Sequence, residues 1–295
     1  CATQGHSMLQ FVELGFEAEL AGLRRSLPPF TGATLRGAFG WLLKQTVCQV
    51  SHGNCDRCLL KAACPYPAVF EGVPPVDRDI MRKYPRIPQP FVILTDPITT
   101  ESIRPNPEDD SRTLRWGVRL FGSATRFWPY VVHTFQTAGE RGLGQRRTEF
   151  KLTSVTDGLD GDSIGSSDAE IWGEPQIRVA ESARTMPEIC ALRWRFLTPV
   201  QIVRSGRQTG TDLDGLDLLL AGRRRAEIMH AFYATPDDCQ ASEEQHRSPA
   251  VRLEREEFIT LENGLQRWDL QRYSGRQERR MELRGVIGDL VIQGP

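Results

Sequence analysis

The sequence predicts an α+β protein built from two tandem units. Three observations carry this prediction. A length of 295 residues suffices for two domains, each with its own core. Segments that alternate apolar and polar residues mark strands, and segments with 3.6-residue spacing mark helices between them. A stretch rich in Asp, Gly and Ser over 157–167 separates two runs of such elements.

The first unit opens with FVELGFEAEL over 11–20, whose apolar/acidic alternation predicts a half-buried strand. Pro28 and Pro29 then break the chain, and Thr31 or Thr34 is positioned to cap a helix over 33–47. Its apolar positions are Leu35, Ala38, Phe39, Leu42, Leu43 and Val47. After a cysteine-rich segment, the proline-rich stretch 65–97 leaves room only for a short strand at 91–94. TLRWGVRLF over 113–121 predicts a further strand, 127–138 a helix, and 150–155 another strand after a turn at Gly139, Gly142 and Gly144. The order strand, helix, strand, strand, helix, strand predicts a ferredoxin-like βαββαβ unit.

In the second unit, 189–196 predicts a strand and 205–214 a polar loop. A helix follows over 216–233, with its apolar face at Leu219, Leu220, Ile228, Met229 and Phe232. Residues 236–249 are polar, and 265–273 and 281–292 predict strands paired around 274–280. This repeats the opening of the first unit without a visible second helix or final strand, so the second unit is expected to be incomplete or divergent. The expected domains are 8–157, ferredoxin-like with a Cys-rich metal-binding insertion at 48–90, and 187–295, ferredoxin-like and RNA-binding. Met8 is the expected native start.

Composition narrows the function. Hydrophobic residues are 39% and charged residues 25%, the balance of an ordinary globular protein. Apolar runs such as 218–221 fall far short of the ~20 residues that cross a bilayer, and no secretory leader pattern opens the chain. A cytoplasmic location without a membrane partner is therefore expected. The net charge of −1 conceals a bias: among 37 basic side chains only Lys44, Lys61, Lys83 and Lys151 are lysine. Guanidinium suits bidentate phosphate contacts and stacking on bases, although codon bias also produces arginine richness.

Four of the seven cysteines, Cys48, Cys55, Cys58 and Cys64, crowd one segment. Four thiolates around a C-x2-C knuckle can enclose a tetrahedral Zn²⁺ and leave no open position, which predicts a structural role. His52 in the same loop could replace a cysteine or orient one. The competing reading is a set of reduced, unligated thiols. In LPPFTGATLRGAFG over 27–40, Gly32, Gly37 and Gly40 permit close backbone approach, but no Walker sequence follows, and tight helix packing explains Gly37 and Gly40 as well.

The second unit carries Arg204, Arg207 and the consecutive Arg223, Arg224 and Arg225, which splay around their helix. The stretch with Arg272, Tyr273, Ser274, Arg276 and Gln277 interleaves guanidinium, aromatic and hydrogen-bonding groups, a mixture that suits RNA. From 264 to 295 there are six arginines against four acids, an excess that a solvated hairpin face also accommodates. Acidic residues gather elsewhere, at 108–110, 157–162 and 237–244, so the near-zero total does not exclude RNA. His133, inside VVHTF, is expected at the core or its boundary. No Ser–His–Asp set, G-x-S-x-G or H-E-x-x-H is present.

The co-linear order of LPPFTGATLRGAFG, C-x6-C-x2-C-x5-CPYPAVFEG, PQPFVI, LRWGVRLFG, RGLGQRRTEF, FLTPVQIVRSG and RYSGRQ…LRGVIG resembles a cysteine-containing branch of the CRISPR pre-crRNA-processing endoribonucleases, members of the RAMP superfamily. The resemblance runs from about residue 11 to 288 and implies tandem ferredoxin-like domains. It also implies that CRISPR repeat RNA is bound and cut once per repeat, giving guide RNA that the protein can retain. Such cleavage needs no metal or small-molecule cofactor: the 2′-hydroxyl attacks and leaves a 2′,3′-cyclic phosphate, helped by a base, an acid and cations. Family enzymes place a histidine on or just after the first helix, where this chain has Trp41. The resemblance therefore points to Arg36 and Lys44 as cations, with either His52 from the following loop as base or arginines stabilising charge without a conventional base, while Arg36 could equally tie the glycine segment to the sheet. The alternative is a catalytically silent RAMP subunit that holds guide RNA among other CRISPR effector subunits.

Overall fold

The computed structural model describes residues 9–22, 27, 30–50, 54–74, 78, 80–95, 112–169, 172–180, 191–234, 254–274 and 279–294. It is a mixed α/β structure with antiparallel sheets. The long strand β1 (Leu9–Leu20) is followed by helix α1 (Thr31–Val47), β2 (Phe91–Thr95), β3 (Thr113–Phe121), helix α2 (Trp128–Arg141) and β4 (Phe150–Asp157). These strands pair in the order β2-β3-β1-β4, every pair antiparallel, consistent with a ferredoxin-like unit.

Alternation decides which face is covered. Val12, Leu14, Phe16, Ala18 and Leu20 turn to one side with Leu114, Trp116, Val118 and Leu120, and Leu35, Phe39 and Leu43 of α1 and Val131, Val132 and Phe135 of α2 complete the core. Phe16 stacks on Trp116 with ring centroids 5.1 Å apart, and Phe39 stacks on Phe135 at 5.6 Å. Each fully buried side chain of this kind contributes about 1.5–3 kcal/mol. The other face carries acids opposite arginines: Glu13 accepts from Arg119 Nε at 2.7 Å and Glu17 from Arg115 Nε at 2.9 Å. Neither threonine caps α1. Phe30 is the N-cap residue, without a side-chain cap, and its ring meets Trp268 edge-on at 5.7 Å.

The first sheet continues beyond residue 157. The expected linker contributes β5 (Ser163–Gly165), which pairs with β4, and β6 (Arg178–Ala180) pairs with the start of β1. Asp157 fastens this return. Its carboxylate accepts from the backbone N–H groups of Leu159, Asp160 and Gln176 and from Arg178.

In the second sheet β12 (Arg279–Gln293) is flanked on one side by β7 (Leu192–Val200). Along its other side run β11 (Gln266–Ser274) and β10 (Ile259–Asn263), a strand that the sequence pattern did not predict. The antiparallel order β11-β12-β7 matches β2-β3-β1 of the first sheet. Between β7 and helix α3 (Gly215–Tyr233), the expected polar loop folds into a two-residue hairpin of β8 (Val203–Arg204) and β9 (Arg207–Gln208). Ser205 and Gly206 both have positive φ there, as a type I′ turn requires.

α3 begins at a capping box of Asp214 and Asp217. Leu218 enters the core of the second sheet, whereas Met229 and Tyr233 pack with Ile87 near Leu9 and Phe121 of the first unit. The Tyr233 hydroxyl donates to the Pro88 carbonyl at 2.5 Å, and burial pushes its pKa well above the ordinary phenol range. The expected apolar face is thus only partly used: Leu219 and Leu220 are 43% and 52% exposed, because the helix serves two cores on different sides. His133 is exposed on α2, not at the core. No described helix is long and apolar enough to cross a membrane.

Candidate functional site

Arg36 and Lys44 do not converge. They are eight residues apart on α1, about 12 Å along the axis at 1.5 Å per residue. The Arg36 guanidinium donates to Gln89 Oε1 at 2.7 Å and lies over the rings of Phe70 and Phe91, 5.0 and 5.9 Å from their centroids. Gln89 in turn donates to the Phe70 carbonyl. This arrangement ties the glycine segment to the sheet, and Phe70 lies so close to Gly40 that a Cβ there would overlap its ring. Lys44 lies over the Tyr66 ring at 5.4 Å. His52 lies outside the described residues.

Cys48, Cys55, Cys58 and Cys64 are free thiols lining one cavity of about 170 Å³, together with Lys44, Lys61 and Tyr66. Burial pushes the Cys55 thiol up, with Lys44 pulling it back; burial also raises Cys64, opposed by a hydrogen bond from the Tyr66 backbone N–H. Among the described residues no three His, Cys, Asp or Glu side chains stand ready-made around a common centre.

The predicted arginines of the second unit differ in their employment. Arg204 Nε donates to both oxygens of Asp217, its Nη1 donates to Asp212, and Arg255 binds Asp214 and Asp217 beside it. This cluster of carboxylates and two guanidiniums closes the hairpin onto the start of α3. Arg207 is exposed on β9; Arg223 pairs with Glu227 at 2.8 Å, and Arg224 and Arg225 are exposed on α3. Arg272, Tyr273 and Ser274 occupy β11 opposite Met281, Arg280 and Arg279, while Arg276 and Gln277 lie outside the described residues.

A different surface gathers cationic and aromatic groups. On α1, Trp41 is 55% exposed, and Arg141 of α2 lies over its indole at 5.5 Å while donating to Gln45 at 2.8 Å. One helical face carries Thr34, Trp41 and Gln45 in succession. The turn after α2 is closed by the Leu143–Thr148 bridge and brings Gly144 beside Thr34. Its exposed Arg146 and Arg147 make no ion pair among the described residues. Gly142, Gly144 and Arg147 all have positive φ, which explains the glycine content of RGLGQRR. Two signals were present in the sequence, the basic glycine turn and the i, i+7, i+11 spacing on α1. Only their spatial neighbourhood joins them.

Residues 9–183 match the family model described as AF_1859_N, N-terminal domain, and with more than half of its length matched the chain belongs to this family. An uncharacterized protein of Archaeoglobus fulgidus is 24% identical over 138 residues, which is 47% of this chain and 44% of that protein. The match thus spans less than half of the curated relative's length. Among solved structures, the Cas6 (TTHB231) product complex aligns over 98% of this chain and 86% of its own at 17% identity and a TM-score of 0.47. Thermus thermophilus Cas6 (TTHB231) aligns over 98% and 85% at 15% identity and 0.46. A structure titled as an RAMP protein binding different RNA substrates aligns over 96% and 88% at 8% identity and 0.41.

Proposed function

We propose that this chain is a RAMP-type protein of tandem ferredoxin-like units that binds CRISPR repeat RNA in the cytoplasm. The observation that carries the reading is the Arg141–Trp41 stack, with exposed Arg146 and Arg147 on the turn that follows Arg141. An exposed indole offers a platform for an unstacked base, and guanidiniums beside it supply phosphate contacts and cation–π support. Neither needs a positive net charge. Arg207, Arg224 and Arg225 would extend the contact to the second unit.

The reaction that the sequence resemblance implies is metal-independent cleavage of precursor RNA. The 2′-oxygen would attack the adjacent phosphorus as His52 takes its proton, and the 5′-oxygen would leave with a proton. The products are a 2′,3′-cyclic phosphate and a 5′-hydroxyl. One observation supports the second reading, a non-cleaving guide-RNA subunit: Arg36 and Lys44 serve separate neighbours, Gln89 and Tyr66. Incubation with labelled repeat RNA in EDTA separates the two. A cyclic-phosphate product is expected of the enzyme, tight binding without a cut is expected of the subunit, and absence of binding refutes both.

A further inference from the structure

We propose that the cavity between the end of α1 and the 55–67 segment is a structural zinc site that takes one Zn²⁺ through Cys48, Cys55, Cys58 and Cys64. This inference stands independently of the RNA reading. The four thiols reach one cavity from separate stretches of backbone. Cys48 is the C-cap of α1, its N–H donating to the Lys44 carbonyl at 2.9 Å. Cys55 opens a short 3-10 turn that Asn54 caps, and the Cys58 N–H returns to the Cys55 carbonyl at 3.3 Å. That tight turn is the local geometry a C-x2-C knuckle needs to present both sulfurs to one side. Cys64 follows a further turn, its N–H donating to the Leu60 carbonyl at 3.0 Å.

The charges agree with such a site. Binding would release four protons and form a Zn(S-Cys)₄ centre of net charge −2. Two lysines, Lys44 and Lys61, line the same cavity, Lys61 also pairing with Asp56 at 3.4 Å. A hydrogen bond from the Tyr66 N–H to the Cys64 sulfur is the kind of outer contact that steadies a ligating thiolate. The sulfurs do not yet close on one point, and rotation of cysteine side chains between staggered wells moves each Sγ without moving the backbone. Hard cations prefer oxygen donors, whereas the four thiols of this cavity suit a soft or borderline ion.

Closure would have a structural effect. The segment from 64 to 71 carries Tyr66, Phe70 and Glu71, and Tyr66 donates to Glu71 at 2.9 Å. Zinc would therefore fix the end of α1 to the element on which Arg36 stacks.

The test is metal analysis of the full chain, purified under reducing conditions without chelator, followed by Co²⁺ substitution. One equivalent of zinc is expected, and the Co²⁺ form should show the visible bands of tetrahedral thiolate coordination. Cys55→Ser with Cys58→Ser should reduce bound zinc below about one tenth of an equivalent. Cys64→His should keep the metal, since Cys₃His also binds zinc, but shift the Co²⁺ bands. Should the double variant fail to fold, the wild-type and Cys64→His spectra still decide. Failure of the reduced wild-type protein to bind added Zn²⁺, iron–sulfur absorption in its place, or disulfides linking these cysteines in the freshly purified chain would each overturn the proposal.

Discussion

Asp157 offers a quantitative test of the first unit. It is 2% exposed at the end of β4, where burial opposes its ionisation. Hydrogen bonds from Arg178 and from the N–H groups of Leu159, Gln176 and Asp160 outweigh that cost and hold the carboxyl at about 2. An ordinary aspartate titrates near 3.9, so the difference contributes about 2–3 kcal/mol to folding at neutral pH. Because the folded value is depressed, this stability is fully present above the ordinary value and is lost as pH falls toward 2. About half of it remains at pH 3 by the same linkage. Asp157→Asn preserves shape but removes the charge. Urea unfolding of both proteins, followed by tryptophan fluorescence at pH 7, 5, 4 and 3, should show the variant weaker by about 2–3 kcal/mol at pH 7 and by about half as much at pH 3. A gap that stays constant across this range would refute the account of Asp157 as a charged fastener.

On the proposed RNA surface, Trp41→Ala should weaken repeat-RNA binding by about 5- to 150-fold, corresponding to ~1–3 kcal/mol of base stacking. Titration by fluorescence anisotropy reads this directly. Arg146→Gln combined with Arg147→Asn, the latter chosen because asparagine tolerates positive φ, should lower the slope of log K against log salt by about 1–1.5; an unchanged slope would remove the turn from the interface. Arg204→Ala should destabilise the protein by about 2–3 kcal/mol in denaturant unfolding, less than a fully buried pair because the side chain is about one-third exposed. At a temperature where the variant remains folded, its RNA affinity should stay within about twofold of the parent.

Much of the first sheet was legible because its strands alternate strictly: FVELGFEAEL and TLRWGVRLF pair along most of their length. α1 and α2 begin within two residues of their predicted starts, and β4 begins where expected. The second unit was harder to read for a physical reason. α3 packs its first turns into one core and its last turns into another, so a single periodic stripe was the wrong template for its apolar residues. Exposed Leu192 and Trp194 on β7 likewise blur its alternation, and the strand begins three residues later than predicted. Among site residues, Arg204 illustrates the limit of charge counting. Its partners Asp212, Asp214 and Asp217 were visible nearby, yet only the hairpin turn shows that they meet its guanidinium. The Trp41–Arg141 contact spans 100 residues of chain, beyond any spacing rule.

The path of α3 has a thermodynamic consequence. Among the described residues the second sheet's buried cluster is small, centred on Leu213, Leu218, Leu265, Val286, Leu290 and Ile292. A core of that size confers little autonomy, and the helix that completes it is also anchored by Tyr233 to Pro88 in the other unit. Melting of α3 would therefore cost both units at once, which joins them into one cooperative block. The helix acts as a shared support, with Leu218 packed in the second sheet's cluster and Met229 and Tyr233 packed beside the first unit.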